Sequence, residues 1–519
     1  MSRFRYAACV LTAAMTLLPG AALAATFTVN STLDLPDSSV GNRVCSTSTG
    51  VCTLRAAIQE ANTTLTPDII AFSIGTGQKT IQLDSALPPV TQVVLIDGGT
   101  QPGYAGKPLI EVSGGLLISN ILTITAGSSG MRGLVINSCA GDAVVLLGGG
   151  GNVLESNYIG LDPTGTQIKR NLGAGIRIES PSNRIGGLTP EKRNVISGNG
   201  GLGIEGGILI YGATAVGNVV QGNYIGLDPT GMIPFGNLGR GVAIHFASYN
   251  MIGGDQPGAG NVIAGNRASG VRIMSNSTGN VVWRNYIGVN VKGETHRGEY
   301  PDPLTLSNAR GVQVRGDSNV VLENVIGGNT EDGVLFYDGF GRDLIPLGFP
   351  SNNVVSGNYI FQNGFSGIGM FVGANNKFFK NSIFDNDHLG INIEDHEFGG
   401  VTANDDLDAD TGSNGFQNYP ELTSATVVGT TQTAIVGVLK SAPSKVYSIE
   451  VSANPTCGTF LYGEGRYPLL QQNVTADATG NAPFTITLPY VIPRGWMMTA
   501  TATDPAGNTS EYSRCVVVR

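Results

Sequence analysis

The chain has four histidines, His245, His296, His388 and His396, and few other groups that change charge near neutrality. His245 is marked out by its setting. It ends the phrase Gly241-Val242-Ala243-Ile244-His245, and a glycine followed by the same apolar alternation recurs from Gly175, Gly207, Gly270, Gly311, Gly333, Gly367 and Gly390. Period-two alternation is the pattern of a strand with one face in and one face out. With the residue after each glycine pointing inward, the outward residues fall into two columns. One runs Arg177, Leu209, Ala243, Arg272, Gln313, Leu335, Gly369, Asn392; its neighbour runs Glu179, Tyr211, His245, Met274, Arg315, Tyr337, Phe371, Glu394.

Such a strip of rings and guanidinium groups suits a long, flat, anionic partner: rings stack on sugar faces and arginine binds carboxylates. Two chemistries follow for a polymeric, uronate-containing glycan. In proton abstraction beside a carboxylate, Arg272 and Arg315 stabilise the enolate, His245 or Tyr337 is the base and Tyr211 the acid. In hydrolysis two carboxylates face each other, and Asp338 with Glu331, Asp332 or Asp343 are the candidates. The catalytic set is therefore His245, Arg272, Arg315, Tyr337 and Asp338, with Arg177, Glu179, Tyr211, Phe371 and Glu394 holding substrate. The opposing reading makes the column a ladder of side chains that stabilises stacked strands, on a scaffold that binds glycans or cells without catalysis.

A second cluster of chemistry lies in Asn404-Asp405-Asp406-Leu407-Asp408-Ala409-Asp410-Thr411-Gly412. Asp406, Asp408 and Asp410 alternate before a glycine, as oxygen ligands of a structural calcium do, although the distal glutamate of a full EF-hand is missing. A solvated acidic hinge is the alternative. Asp387-His388 and Glu394-Asp395-His396-Glu397 split between faces if extended, which reads as surface charge.

What must position these residues is a repeat. Asn152 opens NVLESNYIGLDPTG, Asn218 opens NVVQGNYIGLDPTG and Asn280 opens NVVWRNYIGVNVKG, with shorter echoes at Asn194, Asn261, Asn319, Asn353 and Asn376. A unit of roughly 22 residues with two or three short strands is one coil of a parallel β-helix. Stacked coils turn the recurring asparagines into ladders, and the Asp-Pro-Thr-Gly phrases at Asp162 and Asp228 into turns. Insertions from His296 and from Asp338 are expected beside the middle of the strip. Glycine, 75 of 519 residues, is about twice its usual share of roughly 7% and fits many tight turns.

The ends differ. Arg3 and Arg5, the apolar run Ala7 to Leu18 and Ala22-Leu23-Ala24 read as an export signal over residues 1–24. Residues 25–142 read as a cap and the first coils, with TLRAAIQEANTT a short helix placing Leu54, Ala57, Ile58 and Ala61 on one side. The β-helix proper spans 143–418, and 419–519 reads as an immunoglobulin-like β-sandwich. An exported chain permits disulfides; Cys45 with Cys52 and Cys457 with Cys515 are the preferred pairs, leaving Cys139 buried. The net charge of −9 argues against nucleic acid or an anionic membrane as partner. No segment after the signal is long and apolar enough to insert in a membrane, and a secreted monomer is expected.

The phrase CTLRAAIQEAN (Cys52 to Asn62) resembles the CSLREA-type domain, and residues 120–400 resemble the right-handed β-helix repeat proteins of the pectate-lyase-like superfamily. That resemblance implies an all-β right-handed solenoid. It implies polysaccharide lyases, glycoside hydrolases, uronate epimerases and non-catalytic adhesins alike. The lyase tryptophan-isoleucine-aspartate-histidine and arginine-proline motifs are missing. No histidine here is flanked by glycines, as in polygalacturonase-like enzymes, and Asn329-Thr330-Glu331-Asp332 is an interrupted echo of their asparagine-threonine-aspartate. The aspartate-proline-histidine-aspartate of alginate epimerases is reduced to Asp162-Pro163-Thr164-Gly165.

Overall fold

A strand that alternates apolar and polar residues buries only one face, so each copy needs a copy above and below to satisfy its backbone. The computed structural model, which describes residues 24–201, 206–298, 304–337, 349–394, 400–458 and 460–519, shows that stacking. All but the last residue of the expected export signal lies outside the described residues. Among the described residues, three parallel sheets of 12, 11 and 10 strands run the length of a solenoid. The third of these, running from Leu122–Ile124 to Ile391–Ile393, carries the alternating phrase.

In the third sheet Ile176, Ile178, Ile208, Ile210, Val242, Ile244, Val271, Ile273, Val312 and Val314 point inward and are essentially inaccessible. They join the inward residues of the other two sheets in one continuous core that also takes in Leu54, Ala57, Ile58 and Ala61. Those four belong to a helix, α1 (Leu54–Ala61), started by Thr53, whose Oγ1 accepts a hydrogen bond from the Ala56 N–H. The helix covers the first coil, whose strand Thr26–Val29 pairs in parallel with Asp68–Phe72. Arg55 anchors it through a 2.6 Å ion pair with Asp34 and a disulfide joins Cys45 to Cys52 just before it.

The corners are held by asparagine. Asn152, Asn183, Asn218, Asn250, Asn280, Asn319, Asn353 and Asn376 form one ladder. A second climbs from Asn157 to Asn381 and a third from Asn171 to Asn386. At Asn261, Oδ1 accepts from the backbone N–H and the amide of Asn223, while Nδ2 donates to Val220 O and to Asn285 Oδ1. Every polar atom of a fully buried side chain is thus used. The Asp162 carboxylate accepts from the N–H groups of Thr164, Thr166 and Gln167, which holds its pKa below the usual carboxylate range in spite of the opposing effect of burial.

The far end is closed by the C-terminal sandwich, a three-stranded and a four-stranded antiparallel sheet with a core of their own and a Cys457–Cys515 disulfide. Two of its strands, Glu421–Val428 and Tyr467–Thr475, were not expected from sequence. It meets the last coil with carboxylates aimed at exposed N–H groups. Glu450 accepts from Lys380 N at 2.9 and 3.0 Å, Glu464 from Asp385 N and Asn386 N, and Glu511 from Ile393 N at 2.9 Å and Thr402 N at 2.8 Å. Burial pushes Glu450 up to about 7 and Glu511 up to about 8. Cys139 remains a buried thiol, its pKa pushed by burial to about 12.

Two outcomes follow. Asn261→Ala strips four hydrogen bonds from a dry corner and should cost about 3 kcal/mol in equilibrium urea unfolding; a loss under about 1 kcal/mol would mean that water replaces the amide. The Glu450 and Glu511 pKa values are raised on folding, so their contribution is complete below the unfolded value and is lost as pH rises through 7 to 8. The melting temperature should therefore fall from about pH 5 to about pH 8 and level off above, and Glu511→Gln should flatten that fall; an unchanged slope in the variant would show that Glu511 is not its source.

Candidate functional site

The outer face of the third sheet is built by register. Arg177 pairs with Leu209, Leu209 with Ala243, Ala243 with Arg272, Arg272 with Gln313, Gln313 with Leu335, Leu335 with Gly369 and Gly369 with Asn392. Tyr211 pairs with His245, and the ladder continues through Met274 N, Arg315 N, Phe371 N and Glu394 N, each bonded to the carbonyl of the preceding coil. Neighbouring coils lie about 4.8 Å apart.

Three zones differ in character. At the first, Arg177 bonds Glu179 at 2.5 Å, lies 3.6 Å from Asp142 and covers the Tyr211 ring at 5.3 Å; Tyr211 meets Phe246 edge-on at 6.0 Å. Tyr211, 37% exposed, is the accessible ring of the strip. In the second, His245 and Arg315 are buried, at 7% and 5% exposure, with Arg240 beside them. Burial, Arg240 and Arg315 together lower His245 to about 4, so the imidazole is neutral at pH 7. Arg240 itself falls to about 10 through burial and the nearby charges of Arg315 and Arg310. Arg272 lies one coil beyond Ala243 in the adjoining column.

The third zone is a cavity of about 390 Å³ lined by Arg310, Glu331, Asp332, Leu335, Tyr337, Phe365 and Phe371. Arg310 forms an ion pair with Glu331. Tyr337 and Phe371 meet edge-on at 6.2 Å. Asp332 accepts a hydrogen bond from Ser366 N at 3.1 Å, yet burial, the largest effect on it, lifts its pKa to about 7. Gly369 makes room for that carboxyl, since a Cβ there would come within 2.7 Å of Asp332 Oδ1.

The sequence-derived set is thus dispersed over several coils, with Tyr337 and Phe371 in the cavity. Arg177, Glu179 and Tyr211 sit together at the first zone, His245 and Arg315 at the second, and Glu394 is buried beside Glu511 at the sandwich junction. Asp338 lies outside the described residues. The segment opening the insertion at His296 follows the corner after the second sheet, with Thr295 on Gln362 and Arg297 on Asp387, 2.8 Å apart. Arg240 and Arg310 were missed. Both immediately precede the glycine of the phrase, as Asp332 does, and strict alternation assigns that position to the interior.

The acidic run corrects one assignment. The carboxylates that gather within 4.8 Å of one another, and could hold a metal ion, are Asp405, Asp408 and Asp410; Asp406 is not among them. Alternation presumed an extended chain, whereas Asp406–Asp408 is a tight 3-10 turn with Leu407 at φ 62° and Asp408 at φ 58°. Asp408 also accepts from Asn418 N and Ser441 Oγ, tying the turn to the sandwich. Among the described residues no helix is long and apolar enough to cross a membrane.

Residues 304–475 match the family model described as a right handed beta helix region. A search of curated proteins finds none that matches the chain. Among solved structures, the periplasmic alginate epimerase AlgG is 13% identical with a TM-score of 0.27, over 64% of this chain and 66% of that one, slightly less than two thirds of its length. Pectate lyase Pel9A is 14% identical with a TM-score of 0.27, over 72% of this chain and 74% of that one. A PL6 family polysaccharide lyase from Pseudopedobacter saltans is 12% identical with a TM-score of 0.33, over 65% and 83%. At those values the likenesses assign no chemistry. The three parallel sheets give this chain a parallel β-helix fold with an appended β-sandwich, and residues 304–475 within it are similar to the right-handed β-helix family.

Proposed function

We propose that the chain is an exported carbohydrate-active enzyme that cleaves a polymeric glycan by acid–base catalysis in the cavity at Asp332. The observation that carries this reading is a buried carboxylic acid with a pKa of about 7 sharing a cavity with the Arg310–Glu331 ion pair and the rings of Tyr337, Phe365 and Phe371. Two carboxylates in unlike surroundings, one ion-paired and one half-protonated at neutrality, are what an acid with a partnering base or nucleophile requires. Asp332 is then the acid that protonates the leaving oxygen, and Glu331 serves the opposite face of the sugar. Asp332 also closes the phrase Asn329-Thr330-Glu331-Asp332. The two disulfides support an oxidising, extracytoplasmic location.

A second reading is elimination or epimerisation at a uronate, favoured by Arg310 and Tyr337 in the same cavity. Ionised Asp332 would take the proton beside the carboxylate, Arg310 would neutralise that carboxylate, and the Tyr337 phenol would return a proton. His245, held near 4, is a poor base in either reading. Its zone is nearly closed to solvent, so binding of the anionic glycan is assigned to half-buried Arg272, with Tyr211 and Arg177 at the far end. The cluster of Asp405, Asp408 and Asp410 is proposed as a structural calcium site where solenoid and sandwich meet.

The pH profile separates the two reactions on a panel of uronate-containing polysaccharides. Hydrolysis, read as new reducing ends, should fall as pH rises through about 7, because Asp332 must carry its proton. Elimination, read as unsaturated-uronate absorbance, should fall as pH drops through about 7. In either case Asp332→Asn should lose roughly 100-fold or more in kcat; full activity in that variant would sink the proposal, and binding without turnover would leave a glycan-binding adhesin. Calcium should raise the melting temperature of the chain, and Asp405→Asn with Asp408→Asn should erase the gain; no shift with the unmodified chain would rule the ion out.

A further inference from the structure

Phe371 belongs to two cavities. On its other side lies a space of about 350 Å³ whose side-chain walls are Phe349, Phe371, Val372 and Ala374, with Ser351 and Ser413 as the polar contributors. No charged side chain among the described residues lines it. Both hydroxyls are already engaged: Ser351 Oγ donates to Phe349 O and accepts from Ala374 N, and Ser413 Oγ donates to Glu394 O. The remaining wall is backbone at Gly373 and Gly412. Gly373 has φ +102°, and a Cβ there would meet Pro350 O at 1.9 Å, so the wall is closed by a backbone approach that other residues would obstruct. The space therefore offers apolar surface and little hydrogen-bonding capacity, beside a cavity that adds the charged or ionisable groups of Arg310, Glu331 and Asp332 to its own rings.

We infer that the second cavity is a subsite for the sugar adjoining the one held at Asp332, and that it selects an uncharged unit bearing a methyl group, from an O-acetyl ester or a 6-deoxy sugar. This rests on the reading of the Asp332 cavity as the place where a glycan is cleaved. The shared Phe371 puts the two spaces next to each other, so one polymer occupies both. The substrate is then a heteropolymer in which an acidic unit neighbours a methyl-bearing neutral one. A run of identical uronates would place a carboxylate against Phe349 and Phe371 with no cation or free donor among the described residues to receive it.

The test uses the full chain and three probes: a bacterial heteropolysaccharide of glucuronate, glucose and rhamnose in O-acylated form, the same polymer after mild alkaline deacylation, and a polyglucuronate. A buried methyl is worth about fourfold in KM. A rise of that size on deacylation identifies the ester methyl; a rise only with polyglucuronate identifies the 6-deoxy methyl. Either difference should vanish in Ala374→Trp, which fills the space, and in Phe349→Ala, which removes an exposed wall. Equal KM for all three polymers, or a difference that survives both variants, overturns the inference. Independently of turnover, crystals soaked in isopropyl acetate or methyl rhamnoside should show the fragment against Phe349 and Phe371, and density for neither would also overturn it. Loss of activity in Asp332→Asn tests the cleavage reading separately, since fragment binding does not depend on it.

Discussion

Everything in this solenoid depends on the hydrogen bonding of a buried amide. A coil that turns three corners must bury backbone at each, and a buried polar group without a partner costs more than the net gain of most hydrogen bonds. Asparagine meets the demand because its side chain repeats the donor and acceptor of a peptide unit. At Asn285 the amide serves the coil before, the coil after and its own corner at once. The ladders thus hold the strands in register, and register is what aligns Arg177 with Leu209 and Tyr211 with His245 on the outer face.

The ends show the same constraint solved by other means. The first coil is covered by a capped helix, whose buried Glu60 accepts from Gly41 N and Arg43 N. The last coil hands its N–H groups to carboxylates of the sandwich, and the third ladder ends on Glu464, which accepts from the Asn386 amide. The two domains are therefore joined by the same kind of bond that stacks the coils, with charge-bearing acceptors in place of amides. The turn at Asp405–Asp410 and the wall at Gly412–Ser413 belong to the segment between them, which connects the junction to the outer face of the third sheet.

Much of the architecture was legible because period-two alternation and recurrent asparagine are local, repeated signals. The columns on the third sheet could be written down from the phrase alone, while the two disulfides were only the preferred pairs among three possible connectivities. Burial of those columns could not. His245 and Arg315 occupy outward positions yet are nearly inaccessible, since what covers an outer face is decided by distant segments. Arg240 and Arg310 were obscured for a different reason: the residue before the glycine sits where the corner ends, so the alternation that places its successors misplaces it, and Asp332, at the same position, was a candidate only as one of several carboxylates near Asp338. The strands Glu421–Val428 and Tyr467–Thr475 were missed because both are mostly exposed and give little apolar contrast.

The glycine at 369 has a broader consequence. In a column where each coil presents one outward side chain, a position left blank is as informative as one that is filled, because the vacancy is used by the coil before it. Asp332 leans into the space above Leu335 that any larger residue at 369 would occupy. Chemistry on such a scaffold is therefore written in pairs of coils, one supplying the group and the next withholding its own. A change of reactivity then needs only one deletion and one addition, with the interior and the ladders left untouched.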